Sequence, residues 1–312
     1  MDFSRREVFK LLGLAGLVGA VGFPKLPMLK EDTLKYRLGK TPARHAVKLK
    51  LRDYVDLSKL PTPPPDFGHE TLVHDWQVLG NDTVGDCAIA GPFHAEMLWN
   101  AESGKTISVN TACTLKAYSA ITKYDPKQTD PISGENPTDN GSDVAEVAEY
   151  WRTKGLKDAD GKVHKIDTYL ALEPGNVEEL FVAMYLFNGA GIGVDFPQEW
   201  MEAFGHGQIW DTLADPTPMG GHYIWGVGRR GGDINAITWG KTQLVTPAAY
   251  EEFNDEAFVY LTEENLVNGR DLEGFDLATL RADLKALKGQ PHSRPVEKVK
   301  KVADETSGDN SA

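Results

Sequence analysis

The sequence predicts an α+β protein with a helical first lobe and a strand-rich second lobe, on three observations. From about residue 76 to 165, apolar residues recur at helical spacing between capping signals. From about 166 to 267, short runs rich in β-branched and aromatic residues alternate with glycine-bearing turns. The stretch WQVLGNDTVGDCAIAGPFHAEMLW (76–99) sets turn formers Gly80, Asn81, Asp82, Gly85 and Asp86 directly before Cys87 and an apolar run. Sites often lie in the cleft between two such lobes.

The elements follow in order. Ser4-Arg5-Arg6-Glu7-Val8-Phe9-Lys10, then the apolar Leu11–Phe23, has the form of a twin-arginine export signal over residues 1–26. The apolar run has the length of a signal peptide's, shorter than a membrane span, and no clean Ala-x-Ala cleavage site follows. It implies an exported, periplasmic or extracellular bacterial-type protein that meets the twin-arginine machinery. After processing no stable membrane span is expected; an uncleaved signal would leave an anchor. Residues 27–65 are basic, then proline-rich, and read as a linker or short pro-region, with KLRDYVD a short strand. Helices are expected from Cys87 to Ala101, through SVNTACTLKAYSAITKYDP, and after an Asn140–Asp143 cap, with Gly155 as stop. Asn176 caps another, stopped by Gly189. KVHKIDTYLALE, AGIGVDF, HYIWGVG, INAITWG and EAFVYLT read as strands, and PQEWMEAFGHGQIWD as loop with a little helix. The main domain spans 66–267; a C-terminal helix is expected at 268–289 and a disordered tail at 290–312.

Composition bounds the partners. The chain has 312 residues and a net charge of -13, which argues against nucleic acid and against anionic membrane surfaces. Two cysteines make no disulfide framework. Cys113 reads as a small buried hydrophobe. His69-Glu70 invites a zinc-protease reading, but the second histidine, His74, falls one residue late, so the two imidazoles leave a common helix face. No metal or cofactor is expected.

Chemistry concentrates on Cys87. A cysteine in the first turn of a helix meets free N–H groups and partial positive charge, which favour thiolate. A base is then required. His222, in MGGHYIWGVG, stands at the start of an apolar strand behind two glycines. Alone it is equally a core histidine; paired with Cys87 it becomes a general base.

This order of turn–Cys–helix, helical lobe, Gly-His on a strand and a strand closing in Trp-Gly resembles the papain-like cysteine peptidases. Gly85 and Cys87 match the family signature around the nucleophile; Val84, Asp86 and Ala88 do not. The resemblance implies a two-lobed fold with a barrel-like second lobe and the site in the cleft. It assigns the oxyanion donor to Asn81, six residues before Cys87 where the family has glutamine, with the Cys87 N–H as second donor. Gln77 lies too far upstream. The family orients its histidine with an asparagine two residues before the tryptophan; here that residue is Ile237. Thr238, at the family's separation from His222, and more weakly Asn235 are the alternatives.

The resemblance implies a peptide or protein substrate and a cysteine-type peptidase. A binding or structural module without turnover, and a Cys-dependent acyltransferase, remain as alternatives that share the same residues. Ile237 supports the module.

Overall fold

The computed structural model describes residues 36–53, 60, 62–264 and the backbone of 293–295. The twin-arginine-type segment, parts of 27–65 and the helix expected at 268–289 lie outside the described residues. In chain order the strands are β1 (His45–Val47), β2 (Phe67–Gly68), β3 (Leu156–Lys157), β4 (Val163–His164), β5 (Thr168–Ala171), β6 (Ala190–Pro197), β7 (Pro218–Arg230), β8 (Asp233–Thr238), β9 (Lys241–Val245), β10 (Asn254–Leu261) and β11 (Ser293–Pro295). The helices are α1 (Cys87–Glu102), α2 (Thr111–Thr122), α3 (Val144–Thr153), α4 (Val177–Phe187), α5 (Gln198–Gly205) and α6 (Pro247–Phe253).

The first lobe is built on α1, which is buried on every face except at Ala101. A helix apolar all round must be enclosed, and α2, α3 and one face of the sheet enclose it. The ends of its neighbours follow from side-chain chemistry. Asn110 and Cys113 make a reciprocal capping box on α2, so the cysteine read as an inert hydrophobe also closes a helix end. The Asp143 carboxylate accepts from the Glu146 N–H and starts α3. Gly155, at φ +85°, lets the chain turn out of it.

The second lobe is an antiparallel sheet in the order β5-β10-β6-β7-β8-β9, with β2 on β7. Its inner strands are apolar on both faces because each face covers a different core. On β7, Tyr223, Trp225 and Val227 face the helices, while Ile224 faces the core formed with α4, α5 and α6. Gly91 of α1 packs so closely on β7 that a Cβ there would lie 2.2 Å from the Tyr223 ring. No helix among the described residues is long and apolar enough to cross a membrane.

Four expectations differ from the structure. KLRDYVD holds a 3-10 turn at Leu51–Asp53 rather than a strand. Residues 198–205 are a full helix, β9 and α6 were not foreseen, and 293–295, within the expected disordered tail, pair with β1. The first is a matter of length: three residues closed by an Asp53 N–H to Lys50 C=O bond carry no period to read.

Candidate active site

Cys87 belongs to the first lobe and His222 to the second. Cys87 is the first residue of α1, and its thiol is buried beside the backbone N–H groups of Tyr223 and Gly39. Tyr223 is the residue after His222, so the β7 backbone itself brings nucleophile and imidazole elements together.

His222 is fully buried, stacked on Trp239 at 4.4 Å between centroids and edge-on to Phe196 at 5.5 Å. Its Nε2 lies 2.7 Å from the Thr238 hydroxyl, while Nδ1 has no hydrogen-bond partner. Ile237, one residue earlier on β8, points the opposite way into the first lobe's core. Asn235 shares that parity and does not reach His222 among the described contacts.

Asn81 is buried, and its Nδ2 donates to the carbonyls of Arg37 (3.1 Å) and Val84 (3.0 Å). The Arg37 carbonyl also accepts from Trp239 Nε1 at 3.2 Å. Gln77 is turned elsewhere, donating to Val109.

The cleft is filled by the chain's own residues 36–41. Tyr36 stacks on Trp239 at 4.8 Å. The Arg37 N–H donates to the Asn81 carbonyl, Lys40 N–H to Gly221, and Thr41 N–H to Ser142, while Ser142 N–H donates to Gly39. Lys40 thus pairs antiparallel with Gly221 on one wall and parallel with Ser142 on the other. Glycines make this contact: a Cβ at Gly39 would lie 1.9 Å from the Gly85 carbonyl oxygen, one at Gly141 2.2 Å from that of Gly39, and one at Gly221 2.4 Å from that of Lys40. The Lys40 side chain continues inward to form an ion pair with Asp255, with Glu256 at 3.6 Å.

Enclosure sets the protonation states. Burial pushes the Cys87 thiol up to about 12, against the opposing pull of the Tyr223 N–H and of Lys40. Burial, with Lys40 adding to it, pushes His222 down to about 3. The enclosed pair is therefore neutral thiol and neutral imidazole. Placement at a helix N-terminus predicts a thiolate; desolvation outweighs it here. Asp86 beside Cys87 has no hydrogen bond to either carboxylate oxygen, and burial raises it well above the usual carboxylate range. Its charge adds to the burial that raises the Cys87 thiol.

Asn81 and Cys87 thus both lie against residues 37–40, the Lys40 charge acts on Cys87 and His222, and Thr238 contacts His222, while no direct Cys87–His222 contact is among those of the described residues. Sequence reasoning missed Lys40, Asp255 and Glu256. Their signal was weak: a lysine in a basic stretch and two acids on a strand more than 200 residues away meet only in space. His69 and Glu70 engage Glu102 and Arg230, away from the cleft. Among the described residues, Glu96, His164 and Glu264 place donor atoms within 4.8 Å of one another, a spacing a metal ion could bridge. Although burial works to lower it, three carboxylates raise His164 to about 10, so it is a cation in this ion-pair cluster, not a free ligand.

A helical lobe and an antiparallel lobe, with Cys on the leading helix and His on the facing strand, define the papain-like fold. Xylellain, a cysteine protease from Xylella fastidiosa, matches 73% of this chain and 97% of its own at 13% identity and a TM-score of 0.51. Procathepsin L2 from Tenebrio molitor larval midgut (TM-score 0.48, 11% identity, 82% of this chain and 87% of its own) was also found. So was a mite allergen structure concerning Blo t 1 and Der p 1 (0.47, 13%, 73% and 76%). No protein-family model matches the chain, and no curated protein matches it.

Proposed function

We propose that this chain is a cysteine-type peptidase held in a latent state by its own residues 36–41. The observation that carries the reading is the Cys87 thiol against the Tyr223 N–H, with the adjacent His222 anchored through Nε2 and free at Nδ1. In the reaction, His222 Nδ1 takes the thiol proton and Sγ attacks the amide carbonyl carbon. The oxyanion is held by Asn81 Nδ2 and the Cys87 N–H. The imidazolium then protonates the leaving amine as the C–N bond breaks, leaving a thioester. Water, deprotonated by His222, attacks the thioester; the tetrahedral intermediate expels the thiolate and releases the acid. Thr238 acts through His222, as a positioning residue. Support for the Asn81 role comes from the Arg37 carbonyl, to which its Nδ2 already donates.

Latency follows from enclosure. While residues 36–41 lie in the cleft, Cys87 is neither ionised nor reachable. In this reading 27–65 acts as a pro-region, and the signal-like residues 1–26 direct export. Arg5→Lys with Arg6→Lys should then retain the protein in the cytoplasm, and unchanged export would remove that part.

The test is alkylation of Cys87 across pH by iodoacetamide. Full-length wild type should label slowly. Gly39→Val, which cannot seat the segment, should label fast at neutral pH, and His222→Ala in that background should abolish the acceleration. Rapid labelling indifferent to His222, or none once the segment is displaced, would leave the binding-module reading.

A further inference from the structure

Lys40 enters the cleft wall as a charged side chain only 1% exposed. Burying an ammonium is costly unless it is paired. Here the pairing is supplied by the second lobe. Asp255 accepts from Nζ, the Glu256 carboxylate is 3.6 Å away, and Asp195 adds its charge. Glu256 Oε1 is buried with no hydrogen-bond partner, and it is this oxygen that faces Nζ. Room for the stem is made by Gly193, where a Cβ would lie 2.4 Å from Lys40 Cε. These four residues come from two adjacent strands, β6 and β10. The backbone at Lys40 is gripped by Gly221 and flanked by Ser142 bonds, which any extended peptide can make whatever its sequence.

We infer that Gly193, Asp195, Asp255 and Glu256 form a side-chain subsite that selects a basic residue, lysine foremost, in the peptide substrate, and that Lys40 occupies it as a stand-in. This rests on the peptidase reading for its substrate meaning. The lock and the specificity are then one feature. A peptide chain lying on Gly221 and Ser142 is held by its backbone and chosen by one cationic side chain. An acidic residue at that position is rejected by three carboxylates, and an aliphatic one leaves Glu256 facing an uncharged group.

Two measurements on the full-length chain test it. The first needs no catalysis. Lys40→Ala vacates the subsite, so n-butylammonium should raise the melting temperature of this variant saturably. Butanol and butyrate should not, and wild type should not respond. A response equal for butanol, or equal in wild type, overturns the subsite. The second uses Gly39→Val and a panel of peptidyl vinyl sulfones with Lys, Arg, Leu or Glu placed in turn at each position before the electrophile. At one position, basic side chains should label Cys87 about tenfold or more faster than Leu. That preference should vanish in Asp255→Asn with Glu256→Gln, whose uncharged side chains keep the fold's volume. Equal labelling by Leu and Lys, or a preference that survives the double variant, overturns the selectivity. If iodoacetamide and every vinyl sulfone fail alike, the peptidase reading and the selectivity fall together, while the alkylammonium result still decides the subsite.

Discussion

Gly39→Val is the sharpest perturbation of the latent state. The missing side chain at Gly39 is what permits its Cα to rest on the Gly85 carbonyl; a Cβ would lie 1.9 Å from that oxygen and 2.2 Å from its carbon. Ordinary contact begins at 3.4 Å, so the segment must withdraw by about 1.5 Å. The bond from Ser142 N–H to the Gly39 carbonyl is 2.8 Å long, and that from Lys40 N–H to Gly221 is 3.1 Å. Neither survives such a shift. Two to three lost hydrogen bonds at about 1 kcal/mol each favour the open cleft by roughly 2–3 kcal/mol. That is about a 30- to 150-fold larger open fraction. The assay is the pseudo-first-order rate of iodoacetamide addition at Cys87, followed by peptide mass, with Cys113 as the reference thiol. Gly39→Ala should fall between the valine variant and wild type. A valine variant that keeps its circular dichroism and labels Cys87 within twofold of wild type would refute the reasoning.

Three further outcomes are expected. Thr238→Val removes the hydroxyl 2.7 Å from His222 Nε2 and should lower kcat of the Gly39→Val enzyme by about 10- to 100-fold, with Thr238→Ser restoring most of it; no loss would remove Thr238 from the site. Gly91→Ala drives a Cβ to 2.2 Å from the Tyr223 ring and should cost about 1–3 kcal/mol in urea unfolding. The buried histidines should shape pH stability in opposite senses. Burial lowers His94 to about 4, so its contribution is whole above the unfolded value of 6.5 and fades as pH falls from there towards 4. His164 is raised to about 10, so its contribution is whole below 6.5 and fades as pH rises towards 10. Melting temperatures should show a flatter acid limb in His94→Gln and a flatter alkaline limb in His164→Gln, and limbs unchanged from wild type would contradict those states.

What the sequence made legible is local or short-ranged. Cys87 at a helix start was readable because turn formers precede an apolar run, and α1 begins there. The caps at Asn176 and Asp143 were readable because an Asx side chain satisfies a helix N–H three residues on. Thr238 could be named because it lies at the resembled family's separation from His222, and the structure turns Ile237 to the other core. The rest depended on pairings that no window contains. The Lys40–Asp255 contact spans 215 residues, and the parallel and antiparallel bridges that seat Lys40 are made by backbone, which has no sequence signature. Gly85 read as a turn former, yet it lacks positive φ and, like Gly39, Gly141 and Gly221, serves by admitting another backbone. The strand β9 was lost because KTQLV buries only alternate residues at a sheet edge.

The protonation states tie latency to chemistry through one residue. With Lys40 in place, its charge lowers both Cys87 and His222, and burial raises the first while lowering the second further. Both terms oppose an imidazolium, so the enclosed pair stays neutral. Withdrawal of residues 36–41 reverses each contribution in turn. Water reaches the thiol and the imidazole, which relieves the desolvation that dominates both shifts. The ammonium departs, leaving Asp195 on the strand beside His222, and Asp255 and Glu256 one strand further, without their counter-charge. Loss of the ammonium removes the one charge that lowers His222, which favours a cationic imidazole, and a cationic imidazole favours the thiolate. A basic substrate side chain then enters the same pocket and returns the positive charge, but only after the nucleophile has been exposed. The covering segment and the substrate's basic residue therefore do opposite things at one place: the first keeps Cys87 protonated by burying it, against the pull of its own Lys40 charge, and the second holds a peptide over it.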